Sequence, residues 1–197
     1  MPPRILIACE ESQTVCKAFR SKGFEAYSCD IQEPSGGHPE WHILGDALIP
    51  LRGGIITTMD GKEHESDRVM LGIQGRDLFM RFWWAEIPLI CVENPVPSKV
   101  FCLPPYTQAI QPYQFGHPYT KKTCLWLKGL PPLESTNVVE PVATWCPSGS
   151  YSHKHGEQHK GMFTTDRAKN RAKTFTGIAA AMAEQWGDYL LSTSKGD

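Results

Sequence analysis

Short stretches of this chain carry side chains that bind or react, and each adjoins an apolar run. Cys9-Glu-Glu-Ser12 follows Ile5-Leu-Ile-Ala8, Asp30 and Ile31 follow Glu25-Ala-Tyr-Ser-Cys29, and Glu93-Asn-Pro95 follows Ile87-Pro-Leu-Ile-Cys-Val92. Carboxylates and an amide accept from ribose hydroxyls and base amino groups, so the chemistry on offer is recognition of a nucleoside-containing ligand. The candidate contacts are Cys9, Glu10, Glu11, Ser12, Asp30, Ile31, Asp46, Glu93, Asn94 and Pro95. Asp30 reads either as a ribose acceptor, from its place at a strand's carboxyl end, or as the cap of the turn that follows. The Cys9 loop lacks the Gly-x-Gly spacing with which a backbone wraps a pyrophosphate, so a Rossmann dinucleotide fingerprint is absent.

The other reactive types are less well placed. His153, His155 and His159 with Cys146 are zinc-ligand types. A His-x-His-x-x-x-His spacing in a Ser- and Gly-rich stretch, with one distant Cys, nevertheless reads as a solvated loop, and no metal is expected. Residues 150–174 hold Lys154, Lys160, Arg167, Lys169, Arg171 and Lys173 against Glu157 and Asp166. That local basic excess reads equally as a solvated helix flank or a phosphate site, with Lys121, Lys122, Arg171 and Lys173 as the phosphate or nucleic-acid contacts. Cys16, Cys91 and Cys124 lie in apolar segments and read as small core residues. Cys9 precedes two carboxylates that raise a thiol's pKa, the reverse of what activates a nucleophile.

The elements that position these groups follow from periodicity. Residues 4–31 read as one β-α-β unit, with Ser12 as cap of a helix that buries Val15, Cys16 and Phe19 and Gly23 as its left-handed C-terminal residue. Parallel strands joined this way belong to an open α/β sheet, with Ile5–Ala8 central and Ile87–Val92 beside it. Gly54–Gly61 resembles a hairpin arm, Asp67–Trp84 a helix weakened by Gly72 and Gly75, and Gln108–Tyr113 with Thr123–Leu127 an antiparallel pair. Pro131–Ser152 reads as loop and Thr174–Leu191 as the strongest helix.

A chain of 197 residues, 41% hydrophobic and 21% charged, is the size of one domain, residues 1–197. Twenty Lys and Arg against 21 Asp and Glu leave a net charge of −1, which excludes a global field for nucleic acid or anionic membranes. Seven unpaired-looking Cys and no apolar leader point to a reduced, cytoplasmic setting. The longest apolar runs are far below the roughly 20 residues of a membrane span, so no membrane partner is expected.

Arg4-Ile-Leu-Ile-Ala-Cys-Glu-Glu-Ser12, Gly23-Phe-Glu-Ala-Tyr-Ser-Cys-Asp30, Gly45-Asp46, Val92-Glu-Asn-Pro-Val96 and Ile110-Gln-Pro-Tyr-Gln-Phe-Gly-His-Pro118 carry a family resemblance. So do Lys121-Lys-Thr-Cys-Leu-Trp-Leu-Lys-Gly-Leu-Pro131 and Lys173-Thr-Phe175. Together they resemble phage and prophage DNA cytosine methyltransferase-like proteins over nearly the whole chain. The resemblance implies a Rossmann-like class I methyltransferase sheet, here truncated, with S-adenosylmethionine as cofactor. It implies that the first strand's loop faces the methionine part, that Asp30 holds the ribose, and that Glu93 is the acid holding the target cytosine.

One departure sets the functional expectation. The family's Pro-Pro-Cys loop, whose thiolate attacks cytosine C6, has no counterpart, for the chain contains no Pro-Cys dipeptide. The expected protein therefore binds a nucleotide or adenosyl ligand without catalysis, one form being a phage anti-defence sponge for a nucleotide signal. The competing readings are an active S-adenosylmethionine-dependent DNA methyltransferase working through Glu93, and a DNA-binding decoy. Association with a second copy stays open.

Overall fold

Strand formation begins where the apolar runs are densest. The structure, a computed structural model, describes residues 3–47, 67–145 and 174–193. It divides into two compact units, one of Met1–Leu44, Gln111–Lys121 and Glu134–Asp197, the other of Gly45–Ile110 and Lys122–Leu133. Parallel and antiparallel sheets segregate between them, giving a mixed α/β chain.

In the first unit β1 (Arg4–Ala8) runs through α1 (Thr14–Ser21) into β2 (Glu25–Asp30), and β3 (His42–Leu44) follows. The order is β1-β2-β3, all parallel, with Ala8 opposite Cys29 and Asp30 opposite Leu44. The expected β-α-β unit is present, but β1 is not the central strand: among the described residues it lies at the sheet's edge, with Ile5, Leu6 and Ile7 half-buried. β2 is central because it carries the small side chains Ala26, Ser28 and Cys29, all fully buried, which admit neighbours on both sides and both faces.

Helix α1 ends as its sequence requires. Gly23 takes φ +85°, its amide donates to Arg20 and that of Phe24 to Phe19, and the Phe24 ring meets Phe19 edge-on at 5.9 Å. This is the Schellman arrangement with its hydrophobic contact. The helix start differs from expectation. Ser12 does not cap it: its hydroxyl pairs with that of Thr14 at 3.1 Å, and the residue at the cap position is Gln13, in the left-handed region at φ 56°.

The C-terminal helix runs as α3 (Thr176–Ala181), a π turn over Met182–Trp186 and α4 (Gly187–Thr193). Ile178, Ala179, Met182 and Trp186 are buried, and α3 and the π turn pack on α1. Gly187 allows the close approach, since a Cβ there would stand 2.8 Å from the Phe24 ring. Residues 137–145, expected as loop, pair in parallel with 113–120 instead, joining β6 (Tyr119–Thr120) to β8 (Ala143–Thr144).

The second unit is an antiparallel sheet in the order β4-β7-β5, with β4 at Ile90–Pro95, β5 at Gln108–Ile110 and β7 at Thr123–Lys128. The expected antiparallel pair is β5 with β7, in register from Gln108 opposite Leu125 to Ile110 opposite Thr123. The strand expected at Ile87–Val92 begins three residues later, after Pro88, and pairs with β7 and not with β1. Its polar end is tolerable because β4 is, among the described residues, an edge strand, where Pro95 removes no ladder bond. Helix α2 (Asp67–Trp83) lies on the sheet, with Phe79 edge-on to Trp126 at 4.9 Å and Cys124, Val92 and Leu103 around them. The hairpin-like arm at Gly54–Gly61 lies outside the described residues.

Two glycine substitutions separate backbone strain from crowding. Gly23→Ala meets no atom within 4 Å and should lower urea-measured stability by about 1 kcal/mol, the left-handed penalty alone. Gly177→Ala places a Cβ on the carbonyl oxygen of Phe115 and should cost more, about 3 kcal/mol.

Candidate functional site

The parallel register brings part of the predicted site together. Beyond Ala8, the amide of Glu10 donates to the Cys29 carbonyl at 3.1 Å, so the Cys9–Ser12 loop continues the ladder beside Asp30. Both Cys9 and Gln13 have positive φ, near 57° and 56°, and these reversals turn the acidic pair inward. Glu10 and Glu11 are buried, Cys9 is exposed and Ser12 is intermediate.

Glu10 does the capping that Ser12 does not. Its carboxylate accepts the Val15 amide at 2.6 Å and the Cys16 amide at 3.1 Å, covering the positive end of α1. Burial pushes its pKa above the ordinary 4.5, against the pull of those two amides and of Lys17, with Glu11 reinforcing the rise. A ligand contact by Glu10 therefore uses only the lone pairs that α1 leaves over.

Asp30 sits at the end of β2, where Oδ1 accepts the Gln32 amide at 2.9 Å. The turn-capping alternative is thus present, and it occupies one carboxylate oxygen. Ile31 projects beside it at 77% exposure.

Gln13, which sequence reasoning passed over, organises both loops. Its fully buried amide donates to the His38 carbonyl at 2.7 Å and accepts the His38 amide at 3.0 Å, while also reaching the Ser28 hydroxyl at 3.3 Å. Gly36 packs so closely that a Cβ there would lie 2.5 Å from that of Gln13. Ser35 donates to the Glu11 carbonyl at 2.8 Å, so the segments after β1 and β2 are tied at two points. Ser28 bonds His42 Nδ1 at 2.8 Å, and His42 Nε2 donates to the Gln32 carbonyl at 3.1 Å. His38 stacks on Trp41 at 3.7 Å, and Arg20 covers Trp41 at 4.5 Å. A lone Gln beside a helix start carries no sequence signal for this role.

The remaining candidates lie elsewhere. Glu93, Asn94 and Pro95 are inside β4, opposite Leu125, Cys124 and Thr123, and not in a loop after it. They and Asp46 belong to the second unit. Lys121 belongs to the first unit and places its ammonium 5.8 Å over Phe175, whereas Lys122, in the second, donates to the Tyr106 hydroxyl at 3.1 Å, which raises its pKa. Arg171, Lys173, Cys146 and the histidines at 153, 155 and 159 lie outside the described residues.

Buried thiols are poor nucleophiles here. Removal from water, with the charge of Glu93, pushes Cys91 up to about 12, and burial raises Cys16 and Cys124 above their ordinary value. Among the described residues no group of His, Cys, Asp and Glu is arranged to hold a metal ion, and no helix is long and apolar enough to cross a membrane.

No family model matches this chain, and neither the curated proteins nor the solved structures contain a match.

The Glu10 contacts make two expectations. Glu10→Ala strands the Val15 and Cys16 amides and should cost about 1–3 kcal/mol in urea unfolding. The raised folded pKa means that the fold favours the protonated carboxyl, a contribution complete below the ordinary value and lost as pH rises through the folded one. The stability of wild type relative to Glu10→Gln should accordingly fall as pH rises above the ordinary carboxyl value of 4.5.

Proposed function

We propose that the first unit binds an adenosyl or nucleotide ligand at the carboxyl ends of β1 and β2, and that the protein transfers no methyl group to cytosine. The observation that carries this reading is the parallel β1-α1-β2 unit extended by β3, with the Cys9–Ser12 loop and Asp30 at the strands' carboxyl ends, the edge at which doubly wound sheets bind ligands. The resemblance to DNA cytosine methyltransferase-like proteins supports S-adenosylmethionine or a related nucleoside as the ligand, with Asp30 on the ribose.

Electrostatics narrows how such a ligand lies. In dinucleotide-binding sheets a phosphate sits at the N-terminus of the first helix. In this protein the Glu10 carboxylate takes that seat. The rim therefore receives hydroxyl, amino or cationic groups, and any phosphate is directed away from α1. The missing Pro-Cys pair and the raised pKa values of Cys16, Cys91 and Cys124 support binding without turnover. For a phage-type protein, retention without turnover amounts to sequestering a nucleotide signal.

Calorimetry of the full chain against S-adenosylmethionine and a panel of linear and cyclic nucleotides tests the reading. One nucleoside-containing ligand should bind, and Asp30→Asn, which keeps an oxygen for the Gln32 amide, should weaken it by about 1–3 kcal/mol. No binding across the panel, or equal affinity in the variant, would overturn the assignment. Tritiated-methyl transfer to unmethylated duplex DNA should stay at background.

A further inference from the structure

The start of the C-terminal helix is held by a ring nitrogen. His117 follows the Gly116 turn, and its Nε2 lies 3.0 Å from the Gly177 amide and 3.4 Å from the Thr176 hydroxyl. An imidazole nitrogen accepts an amide proton only while it carries none itself. Phe175, at the cap position, supplies no side-chain hydrogen bond, so the ring replaces the usual Ser, Thr or Asp.

The surroundings leave this bond little freedom. A Cβ on Gly177 would overlap the carbonyl of Phe115, so the first turn of α3 lies directly on the Phe115–Pro118 turn and has no room to slide toward another acceptor. Four rings pack around the junction: His117 to Phe175 at 5.0 Å, Trp145 to Phe175 at 5.2 Å and Tyr119 to Trp145 at 5.2 Å. The charges available to this cluster are unfavourable to an imidazolium. Among the described residues, Thr176–Ala181 and Ala143–Thr144 carry no charged residue, and Lys121 adds its ammonium over Phe175.

We propose that His117 is an acid-sensitive latch that holds the C-terminal helix to the Phe115–Pro118 turn and releases it when Nε2 takes a proton from solvent. Protonation turns the acceptor into a donor, breaks the bond to Gly177 and sets a cation against the positive end of the helical run. Burial already holds the pKa of His117 below its ordinary 6.5. The sign follows: the neutral ring's contribution is complete above 6.5 and is lost as pH falls through the lower folded value. The latch is independent of the ligand reading, since it involves none of the rim residues.

Amide hydrogen exchange and ring NMR on the full chain test it. The protection factor of Gly177 should fall about fivefold, the worth of a helix cap, as pH is lowered from about 7.5 through the titration midpoint of the His117 ring. In His117→Gln, whose side-chain oxygen accepts without titrating, it should stay level over that range. In wild type the nitrogen shifts should show an unprotonated Nε2 at neutral pH and a midpoint below 6.5. The same pH response in His117→Gln, or a proton on Nε2 at neutral pH, overturns the latch, and the ring titration decides the matter even if the variant fails to fold.

Discussion

The first unit depends on one side-chain amide behaving as a peptide group. Gln13 offers a donor and an acceptor in the plane that a neighbouring strand would present, and it satisfies both backbone polar groups of His38. Buried polar groups cost free energy unless paired, so this double bond is what permits a fully buried Gln at the base of α1. Without it the segment after β2 has no ladder to join, because β3 begins only at His42. The geometry of the acidic loop follows from the same constraint, since Gln13 reaches His38 from a left-handed backbone position.

The same device recurs away from the rim. Gln108 brackets the backbone of Leu133 at 2.7 and 2.8 Å, and Gln185 brackets that of Glu134 at 2.8 Å in both directions. Gln111 and Gln114 cap the short helical turn Pro112–Gln114, and Gln111 also accepts the Lys121 amide at 2.8 Å. These contacts give a structural account of the Gln- and Pro-rich run at Ile110–Pro118. Its Gly116 takes φ +85° with its amide on the Asn137 carbonyl at 2.7 Å, which starts the parallel pairing of 113–120 with 137–145. A motif that looks like a functional signature is, over most of its length, the scaffold of a turn and an irregular sheet.

What was legible in the sequence had a period or a local conformational demand. The β-α-β unit, the Gly23 terminus, the α2 segment and the C-terminal helix all announced themselves by apolar spacing or by a residue that tolerates positive φ. What was not legible depended on partners distant in sequence. Ile5–Ala8 reads as a central strand because it is uniformly apolar, yet the small residues of β2 take that place. The polar end of β4 reads as a loop until its edge position is known. Glu10 reads as a ligand contact and Gln13 carries no signal, and only the approach of α1 and the His38 segment makes them interior residues. Asp30 was legible in position, and its turn bond to Gln32 fits the capping alternative that sequence alone left open.

The rim's chemistry then follows from where its charge has been committed. Glu10 offsets the dipole of α1 from within the protein, so the helix start contributes no net attraction to an incoming anion. Asp30 commits one oxygen to its own turn and keeps acceptor capacity on the other, beside an exposed Ile31 that offers an apolar surface. Acceptor and apolar face side by side suit a group with hydroxyls on one edge and a flat, weakly polar body, the description of a nucleoside. An extended polyphosphate meets less favourable conditions there: buried carboxylates, and a helix terminus already filled. On the proposed reading, selectivity at this edge of the sheet comes less from attraction to one ligand than from the exclusion of anions by a carboxylate that caps α1.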